Sequence, residues 1–203
     1  MVRKADRPRH IIKAALALAA AGQWSRVSLR DIARAAGVSL AELHELYPSR
    51  TAILRAHFDA IDDSVLKDIA EFDPKDSSRD RLFDVLMRRF DAMSGDRDAI
   101  AAIVLAACRD PLAGLCLSAG LMRSMQWMLE AAGIRAAGPG GRMQVRGLAV
   151  VWLATARVWL RDDSEDGART MAALDRNLAR AERLSSALTC RGVKRPETET
   201  APA

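Results

Sequence analysis

Ser28-Leu29-Arg30-Asp31-Ile32-Ala33-Arg34-Ala35-Ala36-Gly37-Val38-Ser39-Leu40-Ala41-Glu42-Leu43-His44-Glu45-Leu46-Tyr47-Pro48-Ser49-Arg50 is the stretch whose reading decides the fold. Ser28 and Ser39 are each followed three residues on by an acid, Asp31 and Glu42. That is the spacing of a capping box, in which serine and acid satisfy each other's backbone N–H groups at a helix start. Leu29, Ile32 and Ala33 give the first of these helices an apolar side, and it ends near Ala36, where Gly37 supplies the turn. The second is short, ends near Leu46, and is closed by Pro48-Ser49. Two short helices joined by Gly37-Val38-Ser39 make a helix-turn-helix. In such a motif the first helix crosses a phosphate backbone and braces the second, whose leading side chains reach base edges in the major groove.

Working outward, the 3.6-residue period continues almost throughout. A helix from about Arg7 to Ala21 carries Ile11, Ala15, Leu18 and Ala19 on one side and stops at Gly22. After the motif a long fourth helix is expected over about 50–71. Pro74 to Ser78 joins turn residues to charges and marks the domain boundary. Further helices are expected near 79–93, 97–108, 112–132, 142–161 and 165–188. Breaks fall at Ser94-Gly95, Asp110-Pro111, the Gly138-Pro139-Gly140-Gly141 loop and Asp162-Asp163-Ser164. Arg191 to Ala203 has almost nothing apolar and reads as a disordered tail. The expected fold is all-α: a three-helix head over residues 1–58, a connector helix over about 50–71, and a larger helical body over 79–188.

Composition agrees. Half of the 203 residues are apolar and only 4% aromatic, and β-branched residues are sparse, which counts against an all-β fold. At 28% charged, the chain can still bury a core. The net charge of +5 lies wholly in the first sixty residues, where ten Lys/Arg face five acids. A basic head on a neutral body implies a polyanionic partner such as double-stranded DNA. Three cysteines, Cys108, Cys116 and Cys190, without C-x-x-C spacing, suit a reducing cytoplasm. The longest charge-free apolar run, Pro111 to Met122, is too short to span a bilayer, so integral membrane association is not expected. The basic start and Ala14 to Ala21 mimic a secretory leader, but the motif needs that segment as its partner helix.

Ser28-Leu29-Arg30-Asp31-Ile32-Ala33, Ala36-Gly37-Val38-Ser39 and Leu46-Tyr47-Pro48-Ser49-Arg50 closely resemble the N-terminal domain of TetR-type repressors over about residues 9–58. The resemblance implies phosphate contacts at Tyr47 and Arg50, and also at Ser28, Arg30 and Ser39. It departs in the third helix, where the family usually offers small, hydroxyl or aromatic residues. Here Leu43 and Leu46, one turn apart, are expected to pack inward, leaving Glu42, His44 and Glu45 facing out. A carboxylate beside a phosphate is repelled by about 1 kcal/mol even in water. Glutamate can instead accept a hydrogen bond from cytosine N4 and so specify sequence, while Glu42 has a second reading as the capping acid for Ser39. His44 lies near the contact surface.

The body resembles a second family. Leu121-Met122-Arg123-Ser124-Met125-Gln126-Trp127-Met128-Leu129-Glu130-Ala131-Ala132-Gly133-Ile134, then Arg157-Val158-Trp159-Leu160-Arg161-Asp162-Asp163-Ser164 and Thr170-Met171-Ala172-Ala173-Leu174-Asp175, are similar to the C-terminal domain of the coenzyme Q biosynthesis accessory proteins. That resemblance implies a TetR-like fold binding isoprenoid-type lipids. The short polar tail departs from members that end in an amphipathic membrane-binding helix. The residues themselves offer Met122, Met125 and Met128 beside Trp152 as an adaptable apolar pocket, or as ordinary core. Trp159 with Met171, Leu174 and Leu178 offers a homodimer seam of two helices per chain.

No catalytic constellation is present. His10, His44 and His57 are scattered, the cysteines lack a zinc pattern, and the glycine-rich loop lacks the Gly-Lys-Ser/Thr of a phosphate loop. No enzyme activity, cofactor or metal is expected. The sequence thus points to a homodimeric DNA-binding regulator, a repressor, whose body senses an apolar or isoprenoid-like small molecule. The alternative is a lipid-binding accessory factor of ubiquinone biosynthesis with a vestigial DNA head.

Overall fold

Both capping boxes form, and they set the starts of the two short helices. The computed structural model describes residues 4–192 apart from 23, 70, 71, 74 and 165, with side chains as far as residue 185. The head comprises α1 (Arg7–Ala20), α2 (Leu29–Ala36) and α3 (Leu40–Leu46), followed by the connector α4 (Arg50–Lys67). Asp31 accepts from the Ser28 N–H and Oγ, and the Asp31 N–H donates back to Ser28 Oγ. Ser39 and Glu42 repeat the exchange. Gly37 ends α2 at φ 66°, a left-handed conformation that is strained for any residue with a Cβ.

The body follows as α5 (Ser78–Met93), α6 (Arg97–Ala107), α7 (Pro111–Ala131), α8 (Gly138–Trp159) and α9 (Ala168–Gly192). Among the described residues there is no strand, and the fold is all-α as expected. None of the described helices is long and apolar enough to cross a membrane.

Apolar burial divides into two cores. One collects Ile11, Ala15, Ile32, Leu43 and Ile53 of the head, together with Ala99 and Ile103 of α6. The other collects Val85, Leu86, Phe90, Met125, Met128, Trp152 and Leu174 of the body. Ile100 of α6 belongs to the body core, and Phe58 of α4 packs against both. The head is therefore completed by a helix distant in sequence. Because α6 is apolar on two sides, it lies between the cores rather than within the body alone.

Several boundaries differ from expectation. The Gly138-Pro139-Gly140-Gly141 segment is the first turn of α8, not a loop. Proline fits a helix start, where its missing N–H would have no partner. Gly141 lies so close to Ala136 that an added Cβ would sit 2.2 Å from the Ala136 carbonyl carbon. α4 ends at Lys67 rather than near 71, and α9 continues to Gly192 rather than 188. Pro74 of the expected boundary, and the expected disordered tail beyond residue 192, lie outside the described residues. Leu46 does not pack inward. It is 41% exposed, because the chain leaves α3 at Tyr47 with extended backbone before the helical turn can cover it.

Candidate nucleic-acid interface

The geometry of α3 follows from one buried residue. Leu43 is fully buried in the head core. At 3.6 residues per turn, Ala41 and Glu45 each lie about 160° round the axis from it, and so point most directly away from the protein. Leu40 and His44 flank them on one side, with Glu42 and Leu46 on the other. Ala41, His44 and Glu45 are exposed, and Leu40 is 43% exposed. Glu42 is engaged instead. One of its oxygens accepts the Ser39 N–H at 2.8 Å and the other pairs with Arg7 at 2.8 Å. The Ser39 N–H bond is the main reason its carboxyl is held below the usual carboxylate range; Arg7 adds to this. The two glutamates of α3 are thus physically different: Glu42 is a cap and ion-pair partner, whereas Glu45 is an open anion.

The other sequence-selected residues fall into similar groups. Ser28 and Ser39 are caps with their hydroxyls at the surface. Arg30 is exposed and, with Arg9, Lys13 and Arg26, makes no ion pair among the described residues. Tyr47 is half-buried against the head core, and that burial raises its phenol pKa. Arg50 turns into the head, where one guanidinium nitrogen donates to the Trp24 and Val27 carbonyls at 2.8 and 3.0 Å. Its charge lies 5.4 Å from the centre of the Trp24 ring. In this position Arg50 locks the start of α4 to the segment before α2. Arg7 was not singled out by sequence, because its partner comes from a helix beyond the turn.

The sequence signature of the family described as "Bacterial regulatory proteins, tetR family" matches residues 11–57, which hold this constellation apart from Arg7 and Arg9. The head is a TetR-type helix-turn-helix domain. Among solved structures, a TetR transcriptional regulator from Nitrosomonas europaea is similar at 26% identity and TM-score 0.69, covering 87% of this chain and 98% of that one. A TetR transcriptional regulator from Rhodococcus sp. RHA1 follows at 23% and 0.63, covering 86% and 94%. A tetR-family regulator from Streptomyces coelicolor gives 20% and 0.60, covering 93% and 85%. The chain therefore has the fold of TetR-family transcriptional regulators over most of its length. None of the curated proteins matches it. The resemblance of residues 80–187 to the coenzyme Q accessory family finds no support, since these likenesses run through that region and are to TetR regulators.

Behind the TetR-type head, α4 is fastened to the body by a buried polar cluster. Arg89 of α5 donates Nε–H to Asp62 at 2.8 Å, and Ser124 of α7 donates its hydroxyl to the same oxygen at 2.8 Å. Arg89 lies 4.3 Å from the centre of the Trp152 ring, whose other partner is Phe90, stacked at 4.0 Å. One turn earlier on α4, Asp59 pairs with Arg123. His57 Nε2 is buried without a hydrogen-bond partner, 3.6 Å from Asp96. The sequence did carry a signal for this cluster. Asp62 and Arg89 fall on the apolar stripes of α4 and α5, where a charge is out of place.

Of the residues selected for a pocket, Met125, Met128 and Trp152 are buried in the body core, and Met122 packs against it half-buried. Phe90 fills the space against Trp152. Of those selected for a dimer seam, Trp159, Leu174 and Leu178 are buried within the protomer's own core, because α8 and α9 pack on each other, α8 also on α7 and α9 also on α5. Met171 is half-buried beside a cleft of about 390 Å³ that also touches Arg79, Phe83 and Asp175. Among the described residues, the large apolar ones left exposed on these two helices are Met143, Val150 and Leu153 of α8 and Leu184 of α9.

Proposed function

We propose that this protein is a DNA-binding transcriptional repressor that acts as a homodimer and is released from its operator by a small molecule bound in the body. The observation that carries this reading is the TetR-type head itself, with α3 braced by Leu43 and with Arg9 and Lys13 of α1 and Arg30 of α2 exposed and without ion-pair partners among the described residues. Phosphate contacts fall to Arg30 and its unpaired neighbours, with Tyr47, Ser28 and Ser39 holding register. Arg50 acts by fixing the head.

Met143, Val150, Leu153 and Leu184 support dimerisation, since a patch of this kind is seldom left in water. Two copies joined through α8 and α9 present two heads to half-sites about one helical turn apart. The methionine wall beside the Asp62–Arg89–Ser124 cluster suits an effector with an apolar body and one hydrogen-bonding group. Its admission requires the Phe90 and Trp152 rings to part, which draws on Arg89 and hence on α4.

The test is binding of the intact chain to duplexes from its own upstream region. Specific binding is expected, with affinity falling steeply as salt rises, because each neutralised phosphate releases counterions. Light scattering at micromolar concentration should give about twice 22.1 kDa. Absence of specific binding at low salt, or a clean monomer, would remove the proposal.

A further inference from the structure

We infer that this head reads its operator through Ala41 and Glu45, and that the half-site it selects contains a thymine and a cytosine within about two base steps of each other. The inference rests on the DNA-binding reading above. Among the α3 residues, these two stand opposite the buried Leu43 and are exposed. Four residues apart, they are about 6 Å apart along the axis, close to two base steps when the helix lies along the groove.

Their chemistry determines what they can read. Ala41 offers only a methyl group, which matches the C5-methyl of thymine, the one apolar feature of the major groove. Glu45 offers only acceptors when ionised, and cytosine N4 is the matching donor on a pyrimidine edge. Arg and Lys, which read guanine, are absent from α3. The second glutamate does not compete, since Glu42 is held by the Ser39 N–H and Arg7. Arg7 also cancels the one α3 charge that would repel phosphates without reading a base. Exposed Leu40, on the flank next to Ala41, extends the apolar surface toward the same thymine.

The experiment is selection of bound duplexes from a random library by the full-length protein, followed by titration of the recovered site with wild type, Glu45→Ala and Glu45→Gln. Glu45 is exposed and outside both capping boxes, so circular dichroism should show all three folded alike. Replacing the selected C·G pair should weaken wild type by about 10- to 100-fold, and Glu45→Ala by less than twofold. Glu45→Gln should move the preference at that position toward adenine, whose N6 and N7 a carboxamide matches. Deoxyuridine in place of the selected thymine removes one methyl and should cost wild type about three- to fivefold. Two results would overturn the inference while leaving the DNA-binding reading intact: Glu45→Ala keeping the wild-type base preference, or binding every sequence more tightly because Glu45 merely repels phosphate. Recovery of no specific duplex would overturn both.

Discussion

Replacing Arg89 by methionine tests whether the buried ion pair holds the connector helix to the body. Arg89 is 3% exposed and Asp62 6%, so water cannot take over for a lost partner. Methionine fills most of the space of the arginine stem but removes the 2.8 Å bond to Asp62 and the charge over Trp152. Asp62 then keeps only the Ser124 hydroxyl. Breaking a buried pair on one side costs about 3–5 kcal/mol. In a chain of this size, each kcal/mol moves the melting temperature by roughly 2–4 °C, so a fall of about 6–20 °C is expected. Asp62→Leu combined with Arg89→Met removes both charges and should recover at least half of the loss, since no buried charge is left alone. Urea denaturation followed by circular dichroism, at one fixed protein concentration because dimerisation adds to apparent stability, measures both variants. A loss below about 1 kcal/mol for Arg89→Met, or a double variant no better than the single one, would refute the reasoning.

Further outcomes are expected elsewhere. Arg50→Lys keeps the charge but not the planar fork that meets the Trp24 and Val27 carbonyls. It should therefore weaken DNA binding about as much as Arg50→Ala, with neither changing the slope of log affinity against log salt; a slope flattened by about one unit in Arg50→Ala alone would show a phosphate contact instead. Burial, aided by Arg89 and opposed by Asp96, holds the His57 pKa below its ordinary value. The unfolded chain thus takes up this proton first as pH falls, so stability should decline on acidification through about pH 6.5, and less in His57→Gln, as read by thermal melts between pH 5 and 8. Hydrogen bonds from Ser164 and Thr170 hold the Asp162 carboxyl well below the usual carboxylate range. That stabilisation is complete above the unfolded carboxylate pKa and lost at more acid pH, so the deficit of Asp162→Asn should be largest near neutrality and shrink below about pH 4. Gly141→Ala places a Cβ against the Ala136 carbonyl and should cost about 1–3 kcal/mol in urea denaturation, whereas Gly140→Ala, in open space, should not.

The sequence by itself determined the helices, the turn at Gly37 and the identity of the head, because those depend on interactions within three or four residues. Ser28 with Asp31, and Ser39 with Glu42, are such interactions. It also located the positive charge, which composition alone reveals. It left open whether Glu42 capped or read a base, read Gly138 to Gly141 as a loop, and assigned Trp159, Leu174 and Leu178 to a seam with a second copy, whereas they lie in the protomer's own core. Each of these turns on what a residue meets from another part of the chain. Arg7 reaches Glu42, Arg50 reaches Trp24 from 26 residues away, and Arg89 reaches Asp62 from 27. A helical period tells which residues share a stripe. Only packing decides which stripe meets the core, which meets water, and which charge on an apolar stripe has a partner waiting for it.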